Sequence, residues 1–123
     1  MNLIDTHCHL NMPPLSDDTD SVLARADARS VTRIIVPAYD EAAWPEVEAL
    51  SGRPNIFAAF GLHPWVANEV FPRGSLADFQ KRLATQLTPF STVAIGEIGL
   101  DTKVEQCDLP EQLPVLEAQL ALA

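Results

Sequence analysis

The chain has 123 residues and is 47% hydrophobic, enough for one domain with a real core and too apolar for a disordered segment. No apolar run approaches the ~20 residues of a membrane span, and no basic stretch leads into a long apolar run as in a secretory signal. A formal charge of −9 excludes a broad electrostatic grip on a phosphate backbone, and two distant cysteines that form no CxxC pair, Cys8 and Cys107, point to a reducing, cytoplasmic setting.

The first element is Leu3-Ile4-Asp5-Thr6-His7-Cys8-His9, apolar at its start and bounded by Asn11 and Pro13-Pro14. It reads as a buried strand. Residues two apart in a strand share a face, which puts the His7 and His9 Cα atoms roughly 6–7 Å apart on one side. Two imidazoles so placed can converge on one divalent ion. An HxH pair also arises by chance, and a buried histidine is often only a satisfied core residue, so the pair gains meaning from the other strands. Asp5 lies one pleat below on the same face and can orient a histidine. Thr6 and Cys8 point the other way.

Asp17, Asp18 and Asp20 then suit the positive end of a helix expected over about Ser21–Ser30. Its Arg25 and Arg29 read as a solvated face rather than a phosphate grip. Arg33–Val36 is a second buried strand ended by Pro37, and a helix follows near Trp44-Pro45 with Gly52 just past its end. The third strand, Asn55–Phe60, exits through Gly61-Leu62-His63-Pro64. Ala59 and Gly61 are small, as expected beside a pocket. His63 is either a turn residue held by Pro64 or, as we read it, a substrate contact rather than a metal ligand.

Ser75 opens the next helix, with Asp78 placed for a capping box and Leu76, Phe79, Leu83 and Leu87 as its buried stripe. Thr92–Ile98 is the fourth strand. Glu97 within that apolar run is costly to bury unless it is paired or holds a metal, and no arginine or lysine lies nearby in sequence to pair it. Gly96 and Gly99 flank it and permit close approach. From about Leu109 the chain turns helical, with Leu113, Leu116 and Leu120 on one side.

The order is βαβαβαβα with a repeat of about 30 residues, which implies a parallel sheet with right-handed crossovers. The candidates are an open doubly wound sheet and part of a (β/α)8 barrel. No GxGxxG follows the first strand, so the dinucleotide fingerprint is missing. Chemistry-bearing side chains at the C-terminal ends of strands one, three and four favour a barrel mouth. A full barrel takes about 250 residues. The expectation is an α/β fold, the N-terminal half of a TIM barrel with about four βα units, forming a single partial domain over residues 1–123 and halting inside a helix.

Three blocks together, Leu3–Asn11, Ala59-Phe60-Gly61-Leu62-His63-Pro64-Trp65 and Ala94-Ile95-Gly96-Glu97-Ile98-Gly99-Leu100-Asp101, resemble the TatD family in order and spacing. These are metal-dependent hydrolases and deoxyribonucleases of the amidohydrolase-like superfamily, built on a TIM barrel. The resemblance covers essentially the whole chain but only the first half of the family's barrel. It implies that His7 and His9 bind one metal, that Glu97 bridges two and serves catalysis, and that His63 and Asp101 lie beside the site. The family completes its centre with two further histidines and an aspartate on later strands; here the only histidines are His7, His9 and His63. The implied cofactors are one or two divalent ions, zinc, manganese, nickel, iron or magnesium, of which magnesium prefers more oxygen ligands. The implied reaction is hydrolysis of DNA or a small phosphodiester by metal-activated water. The alternatives are amide or ester hydrolysis at a similar centre, or a non-catalytic metal-binding half-barrel that forms a homodimer through its open edges.

Overall fold

Four parallel strands, β1 (Leu3–Asp5), β2 (Val31–Pro37), β3 (Ile56–Phe60) and β4 (Thr92–Ile95), form one sheet in that order in the computed structural model, which describes residues 1–123. Four helices alternate with them: α1 (Thr19–Asp27), α2 (Trp44–Ser51), α3 (Leu76–Gln86) and α4 (Leu109–Leu120). Short 3-10 segments, Ser16–Asp18 and Pro64–Arg73, precede α1 and α3. No helix is long and apolar enough to cross a membrane.

Strand alternation decides the two faces of the sheet. Ile34, Val36, Ile56, Ala58 and Phe60 lie in the buried core beneath the helices, with Trp44 and Val47 of α2 and Phe79 and Leu83 of α3. Ile35 and Phe57 point the other way and line an open groove with Ile4, Arg33 and Val93. In a closed barrel that inner face is a packed interior. Here Ile4 and Val93 are half exposed, because four strands curve round only half of a barrel.

Local chemistry sets most boundaries. Pro37 is the last residue of β2, and Gly52 caps the C-terminus of α2. Ser75 Oγ accepts from the Asp78 N–H at 3.2 Å while Asp78 Oδ2 accepts from the Ser75 N–H at 3.2 Å, completing the capping box on α3. Ser75→Ala is expected to lower stability by about 1 kcal/mol, read as a shifted urea midpoint at unchanged slope.

Three boundaries differ from the sequence reading. The first helix spans Thr19–Asp27 rather than Ser21–Ser30, because Asp18 caps it through the Ser21 N–H and Ser30 has a φ of 65°. The first strand stops at Asp5, where the Asp5 carboxylate takes the His7 N–H at 3.1 Å and competes with the ladder. The fourth stops at Ile95 instead of Ile98. Beyond it the chain steps inward: the Gly96 N–H donates to the Phe60 carbonyl and the Glu97 N–H to the Ala38 carbonyl, both at 3.0 Å.

The buried face of α4 also differs. Leu113 and Leu120 are exposed, whereas Gln112, Val115, Ala118 and Gln119 are buried. The two glutamines replace apolar packing with hydrogen bonds to loop backbone. Gln119 Oε1 accepts from the Leu62 N–H at 2.7 Å, and Gln112 Oε1 accepts from the Asp101 N–H at 2.8 Å. Both loops lead to the residues described next.

Candidate metal centre

His7 and His9 follow β1, His63 follows β3 and Glu97 follows β4, so all four gather at the C-terminal end of the parallel strands. In a flat sheet, strands one and four would stand about 14 Å apart at the usual spacing near 4.8 Å. Curvature of the half-barrel, with the inward step at Gly96 and Glu97, removes that gap. Glu97 Oε2 lies 3.3 Å from His9 Nε2 and 3.7 Å from His7 Nε2. The two Nε2 atoms are 3.2 Å apart with their rings edge to face. The three ligand atoms all lie within 4.8 Å of one another.

These separations fit a cation. Ligands held tetrahedrally at 2.0–2.1 Å sit about 3.3–3.4 Å apart, close to the His7–His9 and His9–Glu97 distances. An N–H···N bond between two neutral rings would give the same contact between the histidines, but it leaves the convergence of Glu97 unexplained. No arginine or lysine pairs with Glu97; its ionisable neighbours are three histidines. His9 Nδ1 is buried without a hydrogen-bond partner.

His63 stands on the other side of the carboxylate, its Nε2 3.6 Å from Glu97 Oε1. Its Nδ1 accepts the Trp65 backbone N–H at 3.1 Å, so the neutral ring carries its proton on Nε2, facing Glu97. Burial lowers its pKa below the ordinary 6.5, against the opposing pull of Glu97 and Asp101. The Tyr39 ring stacks on His63 at 4.8 Å. Glu97 therefore presents one oxygen to the histidine pair and the other to a donor.

Asp5 and Asp101 reach other partners. Asp5 touches the backbone of His7 and not an imidazole. Asp101 accepts the Trp65 indole N–H at 2.8 Å and the Lys103 backbone N–H at 2.7 Å. These bonds, the indole first, hold its carboxyl below the ordinary 3.8. Tyr39, Gln112 and Gln119 were not singled out from the sequence. The glutamines stand seven apart, two helical turns, and that spacing was the available signal for them.

Close approach of backbone is needed at Gly61. A Cβ there would meet Ile98 Cγ2 at 2.8 Å, the Gly96 carbonyl carbon at 2.9 Å and the Glu97 carbonyl oxygen at 3.0 Å. At Gly96 a Cβ would make only ordinary contact, with Ala59 at 3.5 Å, whereas Gly99 has a φ of 154°, a backbone conformation that favours glycine.

A half (β/α)8 barrel with a His-His-Glu cluster that could hold a cation at the C-terminal ends of its strands has the architecture of metal-site barrel proteins. The family model described as "TatD related DNase" matches residues 4–123, and the chain belongs to the TatD family. The metal-dependent hydrolase YjjV of Escherichia coli is 40% identical over 121 residues, covering 98% of this chain and 46% of that protein. Human deoxyribonuclease TATDN3 is 29% identical over 134 residues, covering 98% of this chain and 48% of its own length. The crystal structure of YjjV superposes with a TM-score of 0.81 at 38% identity, covering 98% of this chain and 46% of that one. A TatD family hydrolase from Entamoeba histolytica superposes at 0.80 with 23% identity, covering 99% of this chain and 46% of its own, which speaks of the fold alone. The chain thus spans about half the length of the relatives it matches.

Proposed function

We propose that this chain supplies the first half of a metal-dependent phosphodiesterase centre, acting on DNA or a small phosphodiester. The observation that carries the reading is the convergence of His7, His9 and Glu97 ligand atoms within 4.8 Å at the barrel mouth. Two neutral imidazoles and a carboxylate suit zinc, manganese, nickel or iron better than magnesium. When bound, such an ion lowers the pKa of a coordinated water toward ~7 and so provides hydroxide at neutral pH.

The chain's own residues do the rest. His7 and His9 would hold the cation, and the Glu97 carboxylate would neutralise part of its charge. His63, kept as the Nε2–H tautomer by the Trp65 amide, offers a proton to a substrate oxygen seated beside it. A phosphoryl oxygen accepts such a bond well, because negative charge gathers there in the transition state. Gln119 and Gln112 hold the loops that carry His63 and Asp101, limiting drift of the donor away from the carboxylate. The description of the family and the name of the human relative support phosphodiester over amide or ester cleavage.

A substrate panel tests this. With manganese or zinc loaded, hydrolysis of a short single-stranded oligonucleotide is expected to exceed that of ester and amide substrates by at least about tenfold, a differential of about 1.4 kcal/mol in transition-state binding. Faster turnover of the amide or ester substrates than of the oligonucleotide would overturn the proposal.

A further inference from the structure

Both ends of the four-stranded sheet are open. β1 pairs only with β2 and β4 only with β3, so each leaves its outer row of backbone N–H and C=O groups without a strand to meet. The concave face between them is apolar. Ile4, Ile35, Phe57 and Val93 line a groove of about 270 Å³ with Arg33, and Ile4 and Val93 are half exposed. On the outside, α4, which follows β4, turns Leu113 and Leu120 to solvent, and α1, which follows β1, has no buried residue. A monomer of 13.4 kDa ordinarily exposes about 6,500 Å². This chain exposes 7002 Å². The excess of about 500 Å² is a large part of the ~800 Å² that a standard interface covers on each partner.

We propose that a second copy of this chain covers these surfaces and closes an eight-stranded parallel barrel with it. A two-fold axis along the barrel keeps all strands pointing the same way. β4 of each copy then meets β1 of the other, and two identical contacts close the ring. Eight strands is the number at which such a ring fills with its own side chains, here the apolar groove of each half. Both His-His-Glu clusters open on the same mouth.

Charge is placed for a second copy. The net charge of −9 opposes association, but among Leu3–Asp5 and Thr92–Ile95, the two closing edges, only Asp5 is charged. Helices of a barrel follow one another round its outer ring in the order of their strands. That order sets α4 of one copy beside α1 of the other and parallel to it. α1 has Arg25 in its last turn with Arg29 just beyond, and Glu117 stands in the last turn of α4. All three are exposed, and none makes an ion pair within the chain. Opposite charges thus stand at the same end of the two helices that closure brings together. The inference goes beyond the hydrolytic reading and is independent of it, because it concerns the strand edges and outer helices.

Sedimentation equilibrium in chelator tests this without metal or turnover. The chain is expected to sediment at twice its 13.4 kDa mass at micromolar concentration. Val93→Lys and Ile4→Lys each place an ammonium where closure would bury it, at side chains half exposed in the single chain, so the fold should survive. Each should raise the dimer Kd at least about tenfold while the far-ultraviolet circular dichroism stays unchanged. Arg25→Glu and Glu117→Arg should each weaken the dimer about threefold, and the two together should restore it, since the pair is then rebuilt with its signs exchanged. A single-chain mass for the unmodified protein, or a mass that grows past two chains with concentration, would overturn the closed dimer. So would a dimer indifferent to both lysines, which would have to form elsewhere. A double charge reversal no tighter than either single one would overturn the placing of α4 beside α1.

Discussion

Dialysed against metal-free buffer, the chain is expected to retain about one transition metal ion per molecule, and Glu97→Ala to lose it. Three ligands are the usual protein share of a zinc site with an open position, and His7, His9 and Glu97 make up three. Removing the carboxylate takes away the only anionic ligand and leaves two neutral rings 3.2 Å apart. Losing a mere outer-shell partner of a metal commonly costs ~10–100-fold in affinity, so losing a direct ligand should cost more. The substitution is mild for the fold. Glu97 is partly exposed, and its backbone N–H keeps its bond to the Ala38 carbonyl. Elemental analysis of both proteins, alongside their thermal melts, is the measurement. A wild-type chain that emerges from dialysis without metal, or a Glu97→Ala chain that retains it, would sink the assignment of the three ligands.

Gly61→Ala should damage stability and metal affinity together. The new methyl group would lie 2.8 Å from Ile98 Cγ2 and no more than 3.0 Å from two backbone atoms of Gly96 and Glu97. Ile98 can turn aside; the backbone atoms cannot without moving the peptide that carries Glu97. Overpacking of this kind costs about 1–3 kcal/mol. The Trp44 indole N–H donates to the Gly61 carbonyl at 3.0 Å, so a shift of β3's exit is felt in the core as well. Chemical denaturation gives the first effect and metal titration the second. Normal values for both would show that β3 and the Glu97 loop are not as closely packed as described. A stability loss with normal affinity would show that the Glu97 carboxylate reaches the histidines by another path.

Much of this protein was legible locally. The capping box at Ser75 and Asp78, Pro37 at a strand end and Gly52 at a helix end each act within a few residues, so their signals survive in one dimension. The βα alternation with short repeats implied parallel strands, and the comparison with solved structures of the TatD family bears out the half-barrel. His7, His9, His63 and Glu97 stood out because ionisable side chains at the ends of apolar strands are costly without a purpose.

Other features depended on contacts between residues far apart in the chain. Leu113 and Leu120 looked like the inner face of α4, yet the helix turns Gln112 and Gln119 inward. Periodicity finds an apolar stripe, but it does not know that the neighbouring surface is loop backbone with unpaired N–H and C=O groups, which amides satisfy and leucines do not. The strand ends were overrun for a similar reason: Asp5 competes for an N–H, and the peptides of Gly96 and Glu97 find acceptors on the ends of β3 and β2. By itself, then, the sequence determined the elements, their parallel order and the residue types available for chemistry. Only the tertiary structure decided that Glu97 crosses to His7 and His9 and that Ile4 and Val93 share a groove, because these meetings depend on sheet curvature and on loops held by glutamines from a helix elsewhere in the chain.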